Sequence, residues 1–142
     1  MGQKVLVVGG GMVGCEAAEY LAERGHEAAV IEMKDVIAAD VTPENRRYMF
    51  ANFEEHHVLL RPSAKVSQFY PDGVDYTLAD GTAGSLRGYD NVVLAMGSRS
   101  NAVLKETAEK VAPQVFVIGE AAKAPGNAVL ATHDALEAAL QI

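Results

Sequence analysis

Short continuous apolar runs alternate with stretches of helical spacing in the first part of the chain. The segments from Lys4 to Val8 and from Ala28 to Ile31 are aliphatic runs, which is typical of strands buried on both faces of a parallel sheet. Between them, apolar residues recur near helical spacing from Met12 to Arg24. This order of strand, helix and strand predicts a βαβ unit with a right-handed crossover.

A second helix and a third strand are predicted next. Thr42-Pro43-Glu44 supplies a cap, a proline for the first helical turn and an early acidic residue. We therefore expect a helix from Pro43 to about Glu55, followed by a strand from Val58 to Leu60.

In the middle of the chain, short segments separated by turn sequences replace the alternation of strands and helices. Three short segments are separated by Pro71-Asp72-Gly73 and Ala79-Asp80-Gly81, which are turn sequences of antiparallel strands. These segments predict a three-stranded meander that lies over the sheet as the crossover to the next parallel strand; they are Lys65 to Tyr70, Val74 to Leu78 and Ser85 to Tyr89.

The buried parallel pattern returns twice in the last third. Asn91 to Ala95 and Val115 to Ile118 predict strands four and five, with a weak helix from Ala102 to Ala112 between them. Asn127 is expected to cap a last helix through about Ala139. The fold class is therefore α/β, a Rossmann-like parallel sheet of order 3-2-1-4-5 with a β-meander crossover, in one domain over residues 1–142.

Composition excludes several classes of function. The chain has 142 residues, 49% of them hydrophobic, which suits one domain with one core. The net charge of -7 without a basic cluster argues against nucleic acid as a partner. The single cysteine, Cys15, excludes an intrachain disulfide and is typical of a reducing cytoplasm. No run approaches the ~18 apolar residues of a membrane span, no metal site is predicted, and the oligomeric state stays open.

The candidate chemistry lies at the first turn, Gly9-Gly10-Gly11-Met12-Val13-Gly14. In such a loop the first glycine permits the tight turn, the second lets a pyrophosphate approach bare backbone, and the third lets helix and strand pack closely. Unpaired N–H groups and the helix dipole then attract the anion. An acidic protein can bind a phosphate ligand in this way.

Glu32 follows the second predicted strand, where an acid can bind both hydroxyls of the adenosine ribose. The same carboxylate would repel a 2'-phosphate, and Met33 and Lys34 follow instead of an arginine. An adenine dinucleotide, NADH or FAD, is therefore favoured over NADPH. Besides the loop and Glu32, we assign the following residues to the cofactor site: Met33, Lys34, Val66, Ala95, Met96 and Gly97.

These residues carry a family resemblance. Val7 to Glu16 resembles the pyridine-nucleotide domain of flavoprotein reductases with two dinucleotides. More narrowly, three further stretches resemble the C-terminal part of the NADH:flavin oxidoreductases of the old yellow enzyme group, which includes 2,4-dienoyl-CoA reductase, trimethylamine dehydrogenase and enoate reductase; they are Tyr89 to Arg99, Val115 to Ala121 and Ala131 to Asp134.

The resemblance implies a larger parent enzyme with an FMN barrel, an iron-sulfur cluster and an FAD domain outside this chain. Residues from about 4 to 95 would be its NADH module, and those from about 113 to 142 would return to the FAD domain. The parent would pass hydride from NADH to flavin, whereas this chain, without a convincing catalytic residue, would lack full activity alone.

Two positions depart from the family pattern. Ser100 stands where the family usually has proline, and Glu120 follows Gly119 where the family usually has the aspartate that bonds the ribityl chain of FAD. Gly119 and Glu120 therefore enter the cofactor set through the resemblance alone. Two alternatives stay open, namely a non-catalytic module for an adenine dinucleotide or ADP, and FAD bound at the same glycine loop.

Overall fold

The computed structural model describes residues 2–142, and the chain divides into two compact units, Met1–Met96 and Gly97–Ile142. Within the described residues, no helix combines the length and the hydropathy needed to cross a bilayer.

The first unit contains a parallel sheet of four strands in the order β3-β2-β1-β7. These strands are β1 (Lys4–Val8), β2 (Glu27–Ile31), β3 (Leu59–Arg61) and β7 (Asn91–Leu94). Helix α1 (Met12–Ala22) connects β1 to β2, and helix α2 (Pro43–Glu55) connects β2 to β3. The predicted α/β class with a Rossmann-like parallel sheet is thereby confirmed.

The connection from β3 to β7 is a separate antiparallel sheet of three strands. Its strands follow one another in the order of the chain: β4 (Ala64–Tyr70), β5 (Gly73–Leu78) and β6 (Ala83–Arg87). The predicted meander crossover is therefore confirmed, with shifts of one or two residues at the strand ends.

Side chains on the two faces of the parallel sheet enter two different apolar clusters. On one face, Val7 and Val30 pack with residues of α1 and α2, among them Met49 and Phe53. On the other face, Leu6, Val8, Ala29 and Ile31 pack with residues of the meander, which are Ala64, Val74 and Tyr76. Because both faces are covered, β1 and β2 need apolar residues at every central position, and this explains their continuous runs.

The second unit has little regular structure. It contains α3 (Lys105–Glu109), a short 3-10 helix (Gly119–Ala121) and α4 (Ala128–Ala139). The Asn127 side chain accepts a hydrogen bond from the Leu130 N–H at 2.9 Å, so the predicted cap of the last helix is confirmed. Every residue described in this unit is at least partly exposed, so these residues by themselves enclose no core.

The predicted fifth strand is wrong. Residues 115–118 pair with no strand of the described chain, so the parallel sheet has four strands and not five. A strand requires ladder hydrogen bonds to a neighbour, and an apolar run such as Val115-Phe116-Val117 does not reveal whether that neighbour exists. The helix predicted over Ala102 to Ala112 is likewise shorter, at Lys105–Glu109.

Substitutions on α2 test the apolar cluster that contains Val7, Val30 and Met49. Met49 is 6% exposed, whereas the adjacent Tyr48 is 76% exposed. We expect Met49→Ala to lower the free energy of unfolding by about 2 to 5 kcal/mol, because it leaves a cavity. Tyr48→Ala should change it by less than about 0.5 kcal/mol. Urea denaturation measures both, and equal effects would contradict this account of the core.

The Cys15 thiol tests whether the same cluster is closed to solvent. This thiol is fully buried and donates to the carbonyl oxygen of Gly10 at 3.4 Å. Burial raises the pKa of this thiol to about 11. The reactive thiolate is therefore scarce at pH 8, and we expect modification by a disulfide reagent at least about 100-fold slower than in the urea-unfolded chain. Equal rates in the two states would show that the thiol is accessible.

Candidate functional site

The glycine loop lies between the end of β1 and the first turn of α1. Gly11 occupies the N-cap position of α1 in an extended conformation, with φ -76° and ψ -179°. The first helical hydrogen bond runs from the Cys15 N–H to the Gly11 carbonyl oxygen at 2.9 Å. The loop is thus at the carboxyl edge of the parallel sheet, where open α/β folds bind their ligands.

Two of the glycines allow backbone segments to touch. Gly9 has φ +109°, and a Cβ atom there would overlap the carbonyl oxygen of Ala95. A Cβ atom on Gly14 would overlap the carbonyl oxygen of Gly9 and lie 3.2 Å from the Ala95 Cβ. Side chains at these positions would therefore separate α1 from β1 and from the residue that follows β7.

The other two glycines differ in how much space surrounds them. A Cβ atom on Gly10 would lie 2.9 Å from the Glu32 Cβ, so this position is crowded by a side chain. On Gly11 the nearest atom would be the Asp40 carboxylate oxygen, at 3.3 Å. Gly11 therefore presents bare backbone beside the N-terminus of α1, where N–H groups without helical partners can bind an anion.

Glu32, directly after β2, is held beside this loop by the backbone. Its Oε2 atom accepts a hydrogen bond from the Gly10 N–H at 2.6 Å, and its Oε1 atom accepts one from the Lys34 N–H at 2.8 Å. The Glu32 backbone carbonyl accepts from the Ala64 N–H at 2.8 Å, which ties the residue to the start of β4. The carboxylate consequently has a defined position next to the loop.

The remaining predicted residues of the first unit have diverse surroundings. Met12, Val13, Met33, Lys34 and Met96 are exposed. Ala95 is half-buried, and its N–H donates to the Val8 carbonyl oxygen at 2.8 Å, next to Gly9. Val66 lies on β4 and packs against the meander cluster. The structure therefore brings together the loop, Glu32 and Ala95, while Val66 belongs to the apolar layer beneath the meander.

Gly97, Gly119 and Glu120 belong to the second unit. Gly119 has φ +61°, and its N–H donates to an Asp134 carboxylate oxygen at 2.9 Å. The Glu120 Oε1 atom accepts from the Gly126 N–H at 2.8 Å and from the Ser98 hydroxyl at 3.1 Å. This carboxylate therefore stabilises the loops of its own unit.

Asp40 is a residue of the site that the sequence pattern did not indicate. Its Oδ1 atom accepts a hydrogen bond from the N–H of Met12, the first residue of α1, at 2.9 Å. Asp40 lies in an irregular segment between β2 and α2, where no periodicity marks a functional residue. The tertiary path of this segment brings its carboxylate to the glycine loop.

Comparisons with known proteins agree with this geometry. The family described as "Pyridine nucleotide-disulphide oxidoreductase" matches residues 1–135. An NADH oxidase from Thermoanaerobacter brockii is 36% identical over 141 residues, which cover 99% of this chain and 21% of the relative. A bilirubin reductase from Mediterraneibacter gnavus is 38% identical over 117 residues, which cover 82% of this chain and 18% of the relative.

A solved structure is similar over the whole chain. A 2-naphthoyl-CoA reductase in complex with 2-naphthoyl-CoA matches with a TM-score of 0.83 and 29% identity, covering 100% of this chain and 21% of that chain. The chain therefore spans about a fifth of the length of such relatives. The glycine loop, the fold and the match over residues 1–135 together show that the chain belongs to the pyridine nucleotide-disulphide oxidoreductase family, as an FAD/NAD(P)-binding oxidoreductase domain.

Proposed function

We propose that this chain is the NADH-binding domain of a flavin-dependent oxidoreductase, and that its glycine loop holds the adenine-nucleotide half of NADH. The observation that carries the proposal is the Glu32 carboxylate, which lies 2.6 Å from the Gly10 N–H at the edge of the loop. A carboxylate fixed beside a glycine loop is the arrangement that binds ribose next to a pyrophosphate.

The loop fits a pyrophosphate in shape and in charge. Gly11 has no side chain to obstruct an approaching phosphate, and the N–H groups of Met12 and Val13 belong to the first turn of α1. A helix N-terminus carries roughly half a positive charge, which compensates locally for the net charge of -7. This local field supports anion binding by an acidic chain.

Glu32 supports selectivity for a dinucleotide with an unphosphorylated ribose. Its two oxygens are already oriented by the N–H groups of Gly10 and Lys34, so the carboxylate retains lone pairs for two ribose hydroxyls. A 2'-phosphate at the same place would meet a like charge. The following residue, Met33, is 65% exposed and offers no positive charge to such a phosphate.

The proposed role of the chain is to position the dinucleotide, since reduced nicotinamide itself supplies the hydride. The flavin that accepts it would be held by other domains of the parent protein, as in the NADH:flavin oxidoreductases that the sequence resembles. The second unit supports this larger assembly, because its described residues include exposed apolar side chains on α4, among them Val129 at 77% and Leu136 at 57%. In this proposal, Gly119 and Glu120 belong to the part of the chain that returns to the FAD domain. The proposed location of the protein is the cytoplasm.

Calorimetric titration with NADH, NADPH and FAD tests the proposed ligand. We expect NADH to bind and NADPH to bind at least about tenfold more weakly, which corresponds to about 1.4 kcal/mol. Glu32→Arg should reduce the difference between the affinities for NADH and NADPH, or reverse their order. Glu27→Arg makes the same change of charge at the first residue of β2, and it should leave the ratio of the two affinities unchanged.

Two results would contradict this proposal. Equal affinity for NADH and NADPH in the unmodified chain would remove the role of Glu32. Binding of FAD in place of NADH, together with a yellow colour of the purified protein, would show that the glycine loop binds FAD.

Gly11→Ala is expected to lower the affinity for NADH while leaving the free energy of unfolding nearly unchanged. The added methyl group would meet a flexible carboxylate at 3.3 Å, so we expect the free energy of unfolding to fall by less than about 1 kcal/mol. The affinity for NADH should fall at least about tenfold, because the methyl group occupies the approach of the pyrophosphate. Gly14→Ala should instead destabilise the fold by about 1 to 3 kcal/mol or more, since its methyl group would overlap the Gly9 carbonyl oxygen. Unchanged affinity in Gly11→Ala would show that the ligand binds elsewhere.

A further inference from the structure

The N-terminus of α1 already has an anionic partner within the chain. The Asp40 Oδ1 atom accepts from the Met12 N–H at 2.9 Å, and the Oδ2 atom of the same carboxylate is the nearest neighbour of the Gly11 Cβ position. Both contacts are with the turn where α1 begins, at the Met12 N–H and at the bare backbone of Gly11. The carboxylate therefore lies where the glycine fingerprint places a pyrophosphate.

The backbone around Asp40 is fixed, whereas its side chain is not enclosed. The Ala38 N–H donates to the Gly10 carbonyl oxygen at 2.7 Å, and the Ala38 residue is fully buried. The Arg46 Nε–H donates to the Ile37 carbonyl oxygen at 3.1 Å and holds the same segment from α2. The Asp40 side chain is exposed, so it can rotate toward solvent without moving this segment.

The charge of Asp40 makes this residue a competitor of an anionic ligand at the start of α1. A carboxylate near a helix N-terminus is stabilised by the dipole, and the same dipole would attract the pyrophosphate of a dinucleotide. Two anions at one helix end repel each other, and they compete for the Met12 N–H, which can serve as a full donor to one acceptor at a time. Glu32 adds a further negative charge beside the same loop.

We propose that Asp40 is an internal anion of the dinucleotide site, whose carboxylate lies at the pyrophosphate position and must leave the Met12 N–H when the dinucleotide binds. This inference rests on the proposed function, since it assumes that a dinucleotide binds at this loop. It makes Asp40 an affinity-setting residue, which weakens the binding of every ligand that carries the pyrophosphate, whatever the rest of that ligand contains.

The test is Asp40→Asn, which preserves the size of the side chain and an oxygen acceptor for Met12 but removes the charge. We expect the affinities for NADH and for ADP each to rise about threefold to tenfold in calorimetric titrations at low salt. The gain should shrink as salt screens the interaction. Asp35→Asn is the matched control, because Asp35 is an exposed acid of the same segment; it should change either affinity by less than about twofold.

The outcomes separate this inference from the function on which it rests. Unchanged or weaker binding in Asp40→Asn, with NADH still bound by the unmodified chain, would overturn the role of Asp40 alone and leave it as a structural cap. A gain of equal size in Asp35→Asn would also overturn it, because the effect would then come from net charge. Absence of binding in all three proteins would overturn the proposed function together with this inference. As a direct readout, the Met12 amide resonance should shift when ADP is added and when Asp40 is replaced.

Discussion

The contact between Gly14 and the Gly9 carbonyl oxygen is the constraint on which the first unit depends. It lets α1 begin immediately beside the end of β1, and Gly9 in turn lets the chain pass the carbonyl oxygen of Ala95. A Cβ atom on Gly14 would displace the helix from the end of β1, and a Cβ atom on Gly9 would displace the loop from the Ala95 backbone. Because the helix starts so close to the sheet edge, its N-terminal N–H groups face the loop, and Glu32 at the end of β2 comes within hydrogen-bonding distance of Gly10. Packing and candidate binding site therefore have the same physical origin.

Local electrostatics differ from the global charge of the chain. The net charge of -7 opposes anion binding at long range, whereas the start of α1 offers oriented N–H groups and a partial positive charge. Two acids modulate this field: Glu32 accepts from Gly10 and Lys34, and Asp40 accepts from Met12. In the proposal, Glu32 selects the ribose and Asp40 sets the affinity, so the site combines one attractive helix end with two carboxylates in different roles.

The two units are built in different ways. In Met1–Met96 the parallel sheet is buried between helices and meander, and the described core residues all lie in this unit. In Gly97–Ile142 the described residues form short helices joined by polar contacts, such as those of Glu120 and Asp134 with backbone N–H groups. The chain as a whole spans about a fifth of the length of the NADH oxidase and the 2-naphthoyl-CoA reductase that it matches.

The sequence alone determined the features that depend on local chemistry and on periodicity. Continuous apolar runs predicted β1, β2 and β7, turn sequences predicted the meander, Asn127 predicted a cap, and the glycine spacing predicted the loop with Glu32 as its acidic partner. Only the tertiary structure decided which apolar run finds a neighbouring strand, because pairing depends on distant parts of the chain, and residues 115–118 lack such a partner among the described strands. It also decided the place of Asp40, since the path of an irregular segment is determined by long-range contacts such as that of Ala38 with Gly10, which leave no periodic signal in the sequence.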